Sequence, residues 1–165
     1  MKSRFIIIIV LFCFSQNSIS EELLIKIKEM SKEEYLSSIP KSMNDFILSS
    51  GGEVMAAPGS VMTGVQRLGD LMVINFELDY SNLESLYKKS TGNSSEDFKS
   101  FIKSDYFKEN MFGENGTEKK FLVNHSCSAP IKLAALQKGI TTKYVYLLDT
   151  GEYLGDFKVS INMCN

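Results

Sequence analysis

Beyond residue 20 the apolar positions first recur at helical spacing. Ser31 followed by Glu34 has the form of a capping box, with Tyr35, Leu36 and Ile39 on one face and Pro40 expected to end the helix. Ser42 and Asp45 repeat the start signal, Met43, Phe46 and Ile47 form the next apolar stripe, and Gly51-Gly52 mark the exit. Leu24 to Lys28 alternates and fits a short strand as well as a helix. Between Ser60 and Asp79 the period changes to two. Leu68-Gly69-Asp70-Leu71 reads as a tight turn between extended runs, the second with Met72, Ile74, Phe76 and Leu78 on one side and Asn75, Glu77 and Asp79 on the other.

Helical spacing then returns, with Ser81 expected to cap a helix carrying Leu83, Leu86 and Tyr87. Ser94 and Asp97 start another that carries Phe98, Phe101, Ile102 and Phe107. Residues 108–119 are polar and contain glycine, which predicts an exposed loop. Ser128 is expected to cap a helix with Pro130 in its first turn, Ile131, Leu133, Ala134 and Leu136 inward, and Gly139 at its end. Two strands follow, Thr142 to Leu148 and Tyr153 to Met163, joined through Asp149-Thr150-Gly151-Glu152. The expected fold is α+β, with two antiparallel hairpins forming a roughly four-stranded sheet covered by helices. Residues 21–165 are read as a single domain, a helical part over 21–50 and a hairpin–helices–hairpin part over 60–165.

The leader changes where this domain is expected to work. Lys2 and Arg4 precede an unbroken apolar run from Phe5 to Phe14, and Ser18 and Ser20 supply the small residues of a cleavage site before Glu21. The run is shorter than the roughly 20 apolar residues a membrane-spanning helix needs. Residues 1–20 are therefore read as a cleavable signal peptide, and the protein as periplasmic or secreted. Because the leader holds two basic residues and no acid, its removal takes the formal net charge from −2 to about −4. A mildly acidic chain does not suit a nucleic-acid partner, which rewards a basic face. Stable membrane insertion after cleavage is not expected either.

With Cys13 in the leader, the mature chain keeps Cys127 and Cys164, which are expected to pair in an oxidising compartment. Strict alternation of the last strand puts Cys164 on its polar side. Reaching Cys127 then requires a bulge, or that the chain leave the sheet first.

A cysteine before a short glycine-ended helix, a Tyr-X-Tyr strand, an Asp-X-Gly turn and a closing cysteine form one pattern. It runs through Cys127, Gly139, Tyr144, Tyr146, Asp149, Gly151 and Cys164. The pattern resembles one in short exported bacterial proteins of no established function. The resemblance implies a bacterial periplasmic or secreted protein and no particular activity.

Motifs for chemistry are sparse. His125 is the single histidine, and no strand–Gly-X-Ser-X-Gly–helix context accompanies it. It is read as a solvated histidine in a loop beside the disulfide. One histidine and two paired cysteines are too few zinc ligands. Asp149, Glu152 and Asp156 lack the spacing that converges oxygens on calcium, and no metal or cofactor is expected. Glu77 and Asp79 are two acids among many for glycoside hydrolysis, without any Trp for a sugar platform. Asn93, Asn115 and Asn124 begin glycosylation sequons, at a frequency close to chance in so Asn- and Ser-rich a chain. Tyr144 and Tyr146 share a strand face, which is either part of the core or an interaction surface. Two functions remain: a non-catalytic module binding another envelope or extracellular protein, and a small envelope-acting hydrolase using carboxylates or His125. The first is preferred.

Overall fold

The computed structural model describes residues 21–57 and 59–164, so the expected signal peptide lies outside the described residues. Helices α1 (Glu21–Glu29) and α2 (Lys32–Ser49) lead into strands β1 (Val54–Ala57), β2 (Ser60–Leu68) and β3 (Leu71–Leu78). Five helices follow: α3 (Tyr80–Thr91), α4 (Ser95–Lys103), α5 (Asp105–Phe112), α6 (Thr117–Ser128) and α7 (Pro130–Gln137). The chain returns through β4 (Thr141–Leu148) and β5 (Tyr153–Val159) to a 3-10 turn at Ile161–Met163.

The α+β class is as expected, and the sheet differs in two respects. It has five strands in the order β1-β2-β3-β4-β5, and β3 pairs with β4 in parallel, from Leu71 opposite Thr141 to Leu78 opposite Leu148. The two hairpins are antiparallel internally, but the junction between them is not. The fifth strand, β1, comes from the glycine- and alanine-rich stretch after Gly52, where only Val54 and Met55 offer strand-forming bulk. Met72, Ile74 and Leu78 on β3 and Thr142, Tyr144, Tyr146 and Leu148 on β4 are buried under the helices. The opposite face carries Val73, Asn75 and Glu77 beside Lys143, Val145 and Leu147, all partly exposed.

Pro40 does not end a helix. It sits inside α2, which runs unbroken from the Ser31 capping box to Ser49. An interior proline costs about 3 kcal/mol. The stripe Tyr35, Leu36, Ile39, Met43 and Ile47 is buried in the core. Each such side chain contributes roughly 1.5–3 kcal/mol, so packing outweighs propensity. Helix α2 also replaces a strand. β1 pairs only with the start of β2, up to Met62, and further along Asn44 donates to the Val65 carbonyl at 2.6 Å and accepts from the Val65 amide at 2.8 Å. One side chain thus covers an edge that would otherwise present open backbone groups.

The expected loop at 108–119 is instead the end of α5 and the start of α6, joined through Gly113 to Gly116. Phe112, at the end of α5, packs against Tyr146 and Phe157. Gly155 makes this possible, since a Cβ there would lie 2.3 Å from the Phe112 ring. Tertiary burial of one aromatic therefore organises a segment whose local composition reads as loop. Two caps also shift. Asp79 rather than Ser81 caps α3, and Ala129 rather than Ser128 precedes α7, the Ser128 hydroxyl donating to the His125 carbonyl.

The last strand stops at Val159, four residues before its expected end at Met163, and Ile161 and Met163 are exposed rather than inward. By leaving the sheet, the chain brings Cys164 to Cys127 with a Cα–Cα distance of 5.3 Å in a disulfide. Among the described residues, no helix is long and apolar enough to cross a membrane.

Replacing Asn44 by alanine strands both backbone groups of Val65. Urea unfolding should show a loss of about 2 kcal/mol, in the range for part-buried groups left without partners. An unchanged midpoint would mean that α2 does not secure this edge through Asn44.

Candidate functional site

Helix α6 places two stripes of side chains. Glu118, Leu122 and Ser126, four residues apart, face the sheet, and Phe121 and His125 form the neighbouring stripe. The inner stripe is tied to β4 at both ends. The Tyr146 hydroxyl donates to a Glu118 carboxylate oxygen at 2.7 Å, and Ser126 Oγ lies 3.1 Å from the Tyr144 hydroxyl. Burial pushes the Tyr144 phenol up to about 12, the Ser126 contact acting in the opposite direction. Burial together with the adjacent Glu118 raises Tyr146 well above the usual phenol range.

The outer stripe borders a pocket of about 130 Å³ between α2 and α6, over the sheet. Met62, Ile74 and Tyr144 form its floor, Met43 and Leu122 its walls, and Ala56 of β1 closes one side. Phe121 stands at the mouth, 63% exposed, its ring parallel to that of His125 within 4° at a centroid distance of 6.2 Å. Lys132, from the first turn of α7, also lines the pocket. His125 is held below the ordinary imidazole value, first by desolvation and then by the Lys132 charge. Among the described residues no carboxylate lines the pocket.

The expected residues are thus divided. His125 lies in a helix and not a loop, half-buried at the pocket mouth beside the disulfide-bonded Cys127. Of the two readings of Tyr144 and Tyr146, core or interaction surface, burial supports the core, since their side chains are 1% and 2% exposed. Only Tyr144 contributes to the pocket, as part of its floor. Ser126 is buried against Tyr144 and does not present a nucleophile. The acids are separately engaged. Asp149 accepts from the Tyr80 amide, Glu152 pairs with Lys103 at 3.3 Å, and Asp156 with Lys143 at 2.9 Å and the Tyr153 hydroxyl. Asp79 caps α3, and Glu77 lies in the sheet. Among the described residues no group of three His, Cys, Asp or Glu side chains is placed to hold a metal ion. Sequence reasoning missed Phe121, Met43, Met62 and Lys132. The Phe121–His125 spacing of four was the one available signal, and it required α6 to be recognised as a helix.

No protein-family model matches the sequence, nor does any curated protein. Three solved structures align with this chain. A candidate secreted protein of Pseudomonas aeruginosa aligns at a TM-score of 0.53 and 12% identity, over 90% of this chain and 100% of its own. The type II secretion pilotin EpsS of Vibrio vulnificus aligns at 0.48 and 13% identity, over 81% of this chain and 96% of its own. The pilotin AspS of the Vibrio cholerae type II secretion system gives 0.44 and 10%, over 81% and 95%. The first likeness is one of fold.

His125 gives a prediction with a definite sign. Its folded value lies below the ordinary imidazole value of 6.5. The folded state therefore binds protons less readily, and the stability linked to His125 is full above the unfolded value and lost as pH falls through the folded one. An NMR titration should give a midpoint under 6.5, and His125→Gln should flatten the loss of stability on acidification below that value. A midpoint at or above the unfolded value would contradict the desolvated placement.

Proposed function

We propose that this chain is an exported, non-catalytic protein-interaction module whose docking point is the pocket between α2 and α6. The observation that carries the reading is the pocket itself. Its floor and walls are apolar, its mouth carries a largely exposed phenylalanine, and its volume is about 130 Å³. Small-molecule sites usually span about 300–1,000 Å³. This one suits a single anchoring side chain, the kind of contact that dominates protein interfaces. A hydrolase is less well supported, because His125 has no carboxylate beside it in the pocket and Ser126 is committed to Tyr144.

Export is supported by the leader, by a disulfide of the kind that persists in oxidising compartments, and by a fold shared with a candidate secreted protein. The partner is then another envelope or extracellular protein.

Two outcomes test this reading. Edman sequencing of the protein recovered from the periplasm or medium should begin at Glu21, and recovery only in the cytoplasm with Met1 intact would overturn the export assignment. Tagged protein from the native host should retain a stoichiometric protein partner. Phe121→Ala, or Ala56→Phe to fill the pocket, should lower that retention at least about tenfold, a loss of roughly 1.4 kcal/mol, with a folded far-UV spectrum. Full retention in both variants would place the interface elsewhere.

A further inference from the structure

The edge of the sheet beside the pocket is open. Strand β1 pairs with β2 on one side and, among the described residues, with no strand on the other. Alternate residues of such a strand turn their N–H and C=O groups outward, where another chain can pair with them. Beyond Met62 the edge passes to β2, and there Asn44 already holds both backbone groups of Val65. The open stretch is therefore Val54–Ala57, which carries neither a charge nor a proline. Its register shifts between Met55 and Ala57, so Ala56 is the extra residue of a bulge. Bulges re-aim a side chain, and Ala56 is set against the pocket. Because Ala56 belongs to the outermost strand, the pocket reaches the edge of the sheet. An edge of four residues offers a partner few backbone hydrogen bonds, so side-chain contacts on its two faces must add to them.

Those two faces differ in chemistry. Toward the helices Val54 is buried, and Ala56 borders the apolar pocket of about 130 Å³ over Met43 and Met62. On the other face Met55 is 62% exposed and lines a second hollow of about 350 Å³ with Val61, Glu53 and Glu77. Asp79 and Asp149 complete its acidic wall, and no lysine or arginine of the described residues lines it. These two aspartates accept from the amides of Asn82 and Tyr80. Glu53 and Glu77 have no hydrogen bond or ion pair among the described residues. Successive side chains of an extended segment point to opposite faces. A strand added to β1 thus offers one side chain to the pocket and its neighbour to Glu53 and Glu77. A second copy of this chain fits poorly, since its own β1 and flanking residues 52–60 would bring further acid and no base to the joint.

Building on the interaction reading above, we propose that the partner presents an extended segment that pairs with the free edge of β1, with an apolar side chain in the pocket and a lysine or arginine beside it over Met55, toward Glu53 and Glu77. The recognised element is an alternating apolar–basic strand. Backbone pairing and the apolar anchor supply affinity, and the two carboxylates supply selectivity.

The test uses protein expressed with its leader and purified after export. It is titrated by calorimetry and by amide NMR with four probes: the blocked peptide Thr-Lys-Phe-Lys-Thr-Gly, the same peptide with Glu for both Lys, the same with Ala for Phe, and the first peptide methylated at its Phe and both Lys nitrogens. The first peptide should shift the amides of Met55, Ala56 and Phe121 and slow hydrogen exchange along β1. The other three should each bind at least about tenfold more weakly. Glu53→Gln with Glu77→Gln should bring the Lys and Glu peptides to one affinity without changing the melting temperature. Undiminished binding of the methylated peptide would overturn strand pairing and leave the docking pocket standing. Equal affinity for the Lys and Glu peptides in the unmutated protein would overturn the basic side chain. A dimer by light scattering, with β1 amides protected before any peptide is added, would give the edge to a second copy and overturn a partner strand. If no probe binds while Ala56→Phe still abolishes partner retention, the strand proposal falls alone. If retention is insensitive to both Ala56→Phe and Phe121→Ala, the interaction reading falls with it.

Discussion

The parallel pairing of β3 with β4 is the constraint on which the rest of this structure depends. Antiparallel neighbours can be joined by two residues, as β2 and β3 are through Gly69-Asp70, but parallel neighbours require the chain to cross back over the sheet. Here the crossover carries α3 to α7. It provides the layer that buries Tyr144, Tyr146 and Leu148 on β4, and it delivers α6 over β4 and β5 at the point where the pocket forms. Were the two hairpins joined edge to edge in antiparallel fashion, the same strands would bury the same residues. Helix α6 would then have no defined place relative to α2.

Helix α6 is held in that place mainly from outside. It begins at Gly116 without a side-chain cap, and Val123, Asn124, Ser126 and Ser128 are middling helix formers. Three tertiary links compensate. The Tyr146–Glu118 hydrogen bond engages an acidic side chain, a type worth about 1.5–3 kcal/mol when the acceptor is charged. The Tyr144–Ser126 contact adds a neutral hydrogen bond. The Cys127–Cys164 disulfide closes a separation of 37 residues, worth about 4 kcal/mol in the chain-entropy account. Since Phe121 and His125 ride on the same helix, the core contacts and the disulfide set the position of the pocket mouth.

Much of the architecture was legible because it rests on local signals. The Ser31 and Ser94 capping boxes, the Gly69 turn and the alternation through Met72, Ile74 and Leu78 appear in the structure as expected. The misreadings share one cause. Pro40, the polar stretch at 108–119 and the alternation beyond Val159 were interpreted from local composition. Each was overruled by distant packing: the α2 core stripe, Phe112 lying over Gly155, and the reach of Cys164 to Cys127. The candidate site was less legible still. Its lining comes from both helices flanking the pocket, four strands and the start of α7, and of its residues only His125 and Tyr144 were singled out for function, while Met43, Ile74 and Phe76 read simply as core.

By itself the sequence determined the α+β class, both hairpins, the helix starts at Ser31 and Ser94 and the pairing of Cys127 with Cys164. These depend on side-chain periodicity, backbone preference and thiol count, all of which act within a few residues or through a unique partner. Tertiary structure alone decided the parallel junction, the fifth strand and the pocket between α2 and α6. Strand order and the gap between two helices depend on which distant surfaces bury each other, and no local pattern encodes that choice.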